Sequence, residues 1–415
     1  MDEGRPDLFA ALPLSIAVLS QASSHHQLGP GFSKPGLGTI RRWIGPSPAQ
    51  QIAVLLFIVA VFWYFGDNIV ATMQRLGLRP GFVFLGQRAN FEIGESLISY
   101  SSADTYGRAL LAGLVNTVAV SAFGCLFATI LGVLLGIARL SRNLLLSNVV
   151  RAYVEIFRNT PLLLQLFVWS SLFHSLPAPR QAIQFSGNVF LTNRGIFVPR
   201  LTLEGPSMLI WLPLAVAVGG ATTFLARRLF FGQHYYASRV AGGALAATIA
   251  FLWLADVSIS AELPAKGGFN IRGGLSLTPE FAGLLTGLVF NSAATIAEIV
   301  RSGIQSVGNG QWEAARALGL GPGHIMRLIV LPQALRVITP LMTSSYLDLT
   351  KNSSLAVAIG FPDLVSVANT TANTTGQSLE AIAIIALAYL TLNLAVSLAM
   401  NLYNRRIVLK DTRRK

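Results

Sequence analysis

The chain has 415 residues, 53% hydrophobic and 12% charged, with a mean hydropathy of +0.57. A soluble domain carries about twice that charged fraction, so composition excludes one. The net charge of +13 resides mostly in loops and tails and does not mark a nucleic-acid binder. Residues 1–48, rich in Gly, Pro and Ser, read as a mobile tail. Its apolar run Leu8–Ser20 is short, and Asp2, Glu3 and Asp7 stand where a cleaved leader carries positive charge. Apolar runs near the length that crosses a hydrocarbon core then follow. They cover about Gln50–Ile69, Leu110–Ala138, Ala152–Leu176, Ser207–Leu225, Val240–Ile259, Phe281–Gln305, a seventh from Leu335 past Leu349, and Leu379–Tyr403.

Within these spans three details stand out. Gly113, Ser121, Gly124, Gly132 and Gly136 leave room for a second helix to approach the second span. Arg158-Asn159-Thr160-Pro161 should break the third span and restart it, because Thr caps and Pro opens helices. The seventh should break near Lys351-Asn352-Ser353-Ser354, with Leu355–Leu364 at the surface or returning into the membrane and Asn369–Ser378 a polar stretch. Eight spans put both termini on one side. That side carries 21 of the 31 Lys and Arg residues, so both tails are expected in the cytoplasm. Cys125 is the lone cysteine, and His25, His26, His174, His234 and His324 are scattered, so neither an intrachain disulfide nor a metal site is expected. None of the five lysines sits in a phosphate-binding Gly-x-x-x-x-Gly-Lys-Ser/Thr loop, and neither His-Glu-x-x-His nor Gly-x-Ser-x-Gly occurs.

Between the sixth and seventh spans lies Gln311–Pro332, an island of moderate polarity. Glu313, Ala314 and Ala315 favour a short helix, stopped by Gly319 and Gly321, and Pro322-Gly323 sets a turn. A second short helix should follow and end at Pro332. Glu313, Ala314, Ala315, Gly319, Ile329, Leu331 and Pro332 match the pattern Glu-Ala-Ala, three residues, Gly, nine residues, Ile, one residue, Leu-Pro. This resembles the cytoplasmic coupling loop of ATP-binding-cassette (ABC) importer membrane subunits. Arg158–Phe167, Ala297–Val307 and the run after Pro332 resemble the polar amino-acid permeases of that class. The added spans make the layout similar to the longer permease subunit of general L-amino-acid importers.

The resemblance implies an all-α polytopic membrane protein, about eight transmembrane helices around a five-helix type I importer core with a cytoplasmic coupling helix. It divides the chain into a cytoplasmic tail (1–48), an extra span with a periplasmic segment (49–105), the first part of the permease domain (106–176), an insertion with two spans (177–278), the second part (279–406) with the coupling loop 308–335, and a basic tail (407–415). It implies transport of polar L-amino acids such as glutamate, glutamine, aspartate and asparagine across the inner membrane. The partners implied are an ABC ATPase dimer holding ATP and Mg, a second permease subunit, a periplasmic amino-acid-binding protein and the lipid bilayer. The chain would bind no cofactor and hydrolyse nothing itself. Another small polar solute is the alternative; an ion-gradient-driven transporter should lack the docking loop.

Glu313 should accept hydrogen bonds at the helix start or pair with a basic residue of the ATPase. Ala314 and Ala315 should keep one face slim for seating, and Gly319 should permit the sharp exit. Glu155 with Arg158, and Glu298 with Arg301, are spaced to pair along helices, as structural pairs or helix-end anchors, or else as a gate or a second contact to the ATPase. Asp348 and Lys351 could pair likewise, or meet the charged ends of an amino acid. Asn116, Gln165 and Asn291 could bond helix to helix or line a path.

Overall fold

The computed structural model describes residues 48–75, 77, 81–185, 188–204, 258–267 and 270–412. The expected tail lies outside them up to Pro48, as do the span expected at 207–225 and all but the last two residues of that at 240–259. Among the described residues, five helical stretches are long and apolar enough to cross a membrane.

The first, α1 (Pro48–Arg75), belongs to a unit ending at Gly77. Its apolar side chains point in every direction, with Phe57, Phe62 and Trp63 all at least 70% exposed. Such a helix suits lipid rather than water.

The second unit begins at Leu78. Its first residues, grouped with the extra span in the sequence reading, fold onto the helices that follow. Phe84, Ala89, Phe91 and Tyr100 pack against Tyr106, Ala109, Leu110 and Leu364. Four helices come next or after the insertion: α2 (Tyr106–Arg139), α3 (Leu144–Asn159), α4 (Leu162–His174) and α5 (Pro279–Gln305). The Thr105 and Thr278 side chains cap α2 and α5 by accepting from Arg108 N and Phe281 N. The expected break at Thr160-Pro161 is present, and it leaves α4 about 20 Å long, short of a full crossing.

Helix α5 is the most enclosed, packed by α2, α3 and α4. A Cβ at Gly132 would stand 2.6 Å from Ile296, and one at Gly136 2.8 Å from Val300. The α2–α5 contact therefore exists only because those two side chains are absent.

Between α4 and α5 the chain forms short strands, which an all-α reading did not include. β1 (Ile183–Phe185), β2 (Val189–Thr192), β3 (Gly195–Val198) and β8 (Leu275–Leu277) form an antiparallel sheet in that order. Ile183 pairs with Leu191 and Ile196 with Leu277. β4 (Arg200–Glu204) pairs with β5 (Ser258–Glu262), which begins with the last two residues of the expected fifth span. β6 (Ala265–Gly267) pairs with β7 (Asn270–Arg272).

After α5 come α6 (Asn309–Ala317), α7 (Pro322–Ile325) and α8 (Leu331–Asn352). The second short helix was expected to end at Pro332. Instead α7 runs through a π turn, Met326–Val330, directly into α8. Pro332 falls where the hydrogen-bond ladder has already shifted register, so its missing N–H interrupts nothing further.

A 3-10 segment, Ser353–Ile359, follows and packs inward through Ala356, with Phe361 just beyond it. The polar stretch from Asn369 lies mostly in a helix, α9 (Leu364–Thr375). Thr370, Thr371, Thr374 and Thr375 each donate to the carbonyl four residues back, while Val367, Ala368 and Ala372 are buried. The last helix, α10 (Ser378–Thr412), packs on α8 and α9.

Candidate functional site

The loop between α5 and α8 is held by one continuous apolar cluster. Ala315, Ile325 and Val330 pack with Ile304 and Val307 of the α5 end and with Ala334 of α8, and Trp312, Leu320 and Ile329 lie against them. Helix α6 closes with two bonds, Leu320 N to Ala315 O at 3.2 Å and Gly319 N to Arg316 O at 2.9 Å. This is the Schellman pattern, which requires the left-handed backbone Gly319 adopts, φ +72°. A Cβ in that conformation costs about 1–2 kcal/mol.

The seven motif residues divide by exposure. Ala315 is 1% exposed and Ile329 half-buried. Glu313, Ala314, Gly319, Leu331 and Pro332 are exposed. Two expectations change here. Ala315 faces the protein's own core, so only Ala314 thins the outer face. Glu313 lies beyond the first turn of α6 and makes no side-chain hydrogen bond among the described residues, so it does not bond the helix start. The outer face carries a group the motif does not contain, Leu318, 78% exposed at the loop tip. Its place four residues after Ala314 was the available signal.

Beside this loop, at the end of α5, charges converge on Glu298. Arg301 pairs with it as expected, its Nε 3.2 Å from Oε1. Arg139 from the end of α2 also pairs with it, a contact 159 residues apart in sequence that spacing could not reveal. Arg158 was expected on Glu155 but acts electrostatically on Glu298 instead. Glu155 pairs at 2.8 Å with Arg151, four residues earlier on the same face. Both of those side chains are exposed, so that pair adds little. One carboxylate thus pairs with two guanidinium groups, one at the end of α2 and one a turn on along α5.

Polar residues within the bundle follow two patterns. Asn116 is 1% exposed; its Nδ2 donates to Glu95 O at 2.8 Å and Pro362 O at 2.9 Å, and its Oδ1 accepts from Leu97 N at 3.3 Å. Gln165 is 6% exposed and donates to Phe157 O and Thr160 O, both at 2.9 Å. Asn291 donates to the same Phe157 O at 3.1 Å. The latter two satisfy carbonyls left free where Pro161 breaks the helix. All three therefore tie helices and loops together, and Asn116 and Gln165 are buried.

Asp348 and Lys351 behave otherwise. Both are exposed, and among the described residues they form no ion pair with each other or with any other group. Their neighbour Leu349 packs where a Cβ at Gly124 would be 3.1 Å away, which places them level with the middle of α2. A charged side chain at such depth costs about 2.5–3.5 kcal/mol unless protein or water receives it.

At the opposite end from the loop, Asp363 caps α9 by accepting from Ser366 N at 2.8 Å, with the Tyr389 hydroxyl 3.5 Å away. Burial pushes its pKa from 3.8 to about 6. Glu95, bonded to the Thr278 hydroxyl, is also raised by burial. A cavity of about 380 Å³ lies here, lined by Glu92, Glu95, Glu280, Ser366 and Thr370 among others. Among the described residues no group of three or more His, Cys, Asp or Glu could hold a metal ion.

A family model described as "Binding-protein-dependent transport system inner membrane component" matches residues 128–409. The chain is 41% identical over 368 residues to the general L-amino acid transport system permease protein AapQ of Rhizobium johnstonii, covering 87% of this chain and 92% of that protein. It is 37% identical over 398 residues to the glutamate/glutamine/aspartate/asparagine transport system permease protein BztB of Rhodobacter capsulatus, covering 87% and 93%.

Proposed function

The chain belongs to the family of binding-protein-dependent transport system inner membrane components, and from that premise we propose that it is the permease subunit of an ABC importer for polar L-amino acids. It is a multi-pass membrane transport subunit. The substrates we assign are glutamate, glutamine, aspartate and asparagine. The observation that carries this is identity near 40% across 87% of the chain to two relatives named for amino-acid transport. It extends well beyond the short docking motif.

The coupling step follows from the loop. Glu313, Ala314 and Leu318 form the exposed face that seats in a groove of the ATPase. The apolar cluster behind it joins α6 to α5 and α8. Movement of the groove is then transmitted to both helices, because a packed cluster moves as a body rather than deforming. ATP and Mg belong to the ATPase, and this chain supplies no hydrolytic group. A second permease chain and a periplasmic amino-acid-binding protein complete the assembly, in the inner membrane, with both termini and the loop in the cytoplasm. The excess of Lys and Arg on that side supports the orientation. Glu298, paired with Arg139 and Arg301, stands beside the loop as a gate or an anchor of α2 and α5.

The test is uptake of labelled glutamate, glutamine and leucine by cells carrying the whole complex, wild type beside Glu313→Lys. We expect binding-protein-dependent uptake by wild type, and loss in a variant that still inserts and assembles. Undiminished uptake by the variant, independent of the binding protein, would overturn the reading in favour of gradient-driven transport.

A further inference from the structure

Ser344, Asp348 and Lys351 are spaced four and three apart, so they share one face of α8. All three are exposed, while Ser345, Leu349 and Thr350 on the opposite side are buried. Asp348 and Lys351 are free of ion pairs and of side-chain hydrogen bonds among the described residues, although i,i+3 spacing lets them meet. Leu349, packed at Gly124, fixes their depth near the middle of α2. Lipid cannot receive two unpaired opposite charges there, so water, a charged solute or the second permease chain must.

We propose that this face of α8 lines the aqueous path and holds the main-chain ends of the amino acid in transit, Lys351 meeting the carboxylate and Asp348 the ammonium. The assignment rests on the reading of the chain as an amino-acid permease and deepens it. An acidic, amide or apolar amino acid carries the same two ends. Recognition of those ends alone, with the side chain left in the wider path, admits several amino acids. Ser344 lies one turn deeper on the same face and marks where water reaches. The sign of each contact follows from charge complementarity, and both contacts exist only while the solute replaces the water they lose.

The experiment uses the complete transporter with its binding protein in proteoliposomes. Asp348→Asn and Lys351→Met should each lower glutamine uptake by about 10- to 100-fold, the worth of a charged hydrogen bond. Separately, Ser344→Cys in a Cys125→Ser background should react with a membrane-impermeant charged thiol reagent. Excess glutamine with binding protein should slow that reaction. Leu398→Cys, on the exposed apolar surface of α10 that suits lipid, should stay unreactive. The assignment is overturned by wild-type uptake in both charge variants. It is equally overturned if Ser344→Cys is as inert as Leu398→Cys, the result expected when a partner helix covers the face. If the charge variants fail to retain the ATPase, the thiol measurement decides. A wild-type complex that takes up no amino acid would overturn both this assignment and the reading beneath it. That failure is told apart because it is seen before any variant is made.

Discussion

At the coupling loop, the side chains of Glu313 and Leu318 face outward, Glu313 with no side-chain hydrogen bond among the described residues, while Ala315 and Ile325 fasten the loop from behind. At the far end of the bundle the arrangement is reversed. Asn116, Thr117 and Asp363 are buried, and their side chains bond to the backbone of Glu95, Leu97, Pro362, Leu364 and Ser366. One end leaves the Glu313 carboxylate unbonded and the other uses its polar side chains on its own backbone. The contrast teaches how to read a polar residue in a membrane protein: what matters is whether its hydrogen-bonding capacity is already used.

That contrast can be broken from either side. The largest effect is expected at Gly319. Gly319→Val places a β-branched residue at φ +72° and should reduce uptake at least tenfold, by disordering the α6 exit at a cost of about 1–2 kcal/mol or more. Gly319→Asn, which tolerates that conformation better, should recover part of it; equal loss in both variants would mean backbone strain is not the cause. Next comes Asn116→Ala, which leaves the Leu97 N–H and two carbonyls without their partner. It should destabilise the purified protein by about 1–3 kcal/mol, seen as a lower Tm in detergent. An unchanged Tm would deny the outer end its self-bonded character.

Asp363 gives a smaller, pH-dependent effect. Its pKa is raised in the folded state, so its stabilising contribution is complete below about 4 and is lost as pH rises through about 6. Tm should therefore fall between about pH 4 and 6 and level off above that, and Asp363→Asn should flatten that fall. A parallel decline in both proteins would assign the pH dependence elsewhere. The smallest effect is expected from Glu155→Gln, whose partner Arg151 is an exposed surface residue. Tm and uptake should match wild type, and a clear loss of uptake would give that pair a role in docking.

Hydropathy made the long helices legible, and Thr160-Pro161 located the break between α3 and α4. The docking loop was legible because its residue pattern is itself the structural device: Gly319 is where the chain turns. Residue chemistry misled where side chains bond locally. The threonines of α9 read only as a polar stretch, yet each hydroxyl is absorbed by a carbonyl one turn back. The strands of the insertion are three to five residues long, too short for a periodic signal. Tertiary partnerships were invisible altogether: nothing near Arg139 in sequence announces Glu298. The seven motif residues could be named from spacing, but their division into Ala315 inside and Glu313 and Ala314 outside needed the packing of α6.

The central claim is that the outer face of α6, and not its inner face, meets the ATPase. Cysteine cross-linking in the purified complex measures this, with Leu318→Cys and Ala315→Cys compared in a Cys125→Ser background. The account predicts that a short bifunctional thiol reagent joins Leu318→Cys to the ATPase subunit and leaves Ala315→Cys unjoined. Cross-linking at Ala315→Cys with none at Leu318→Cys would contradict it.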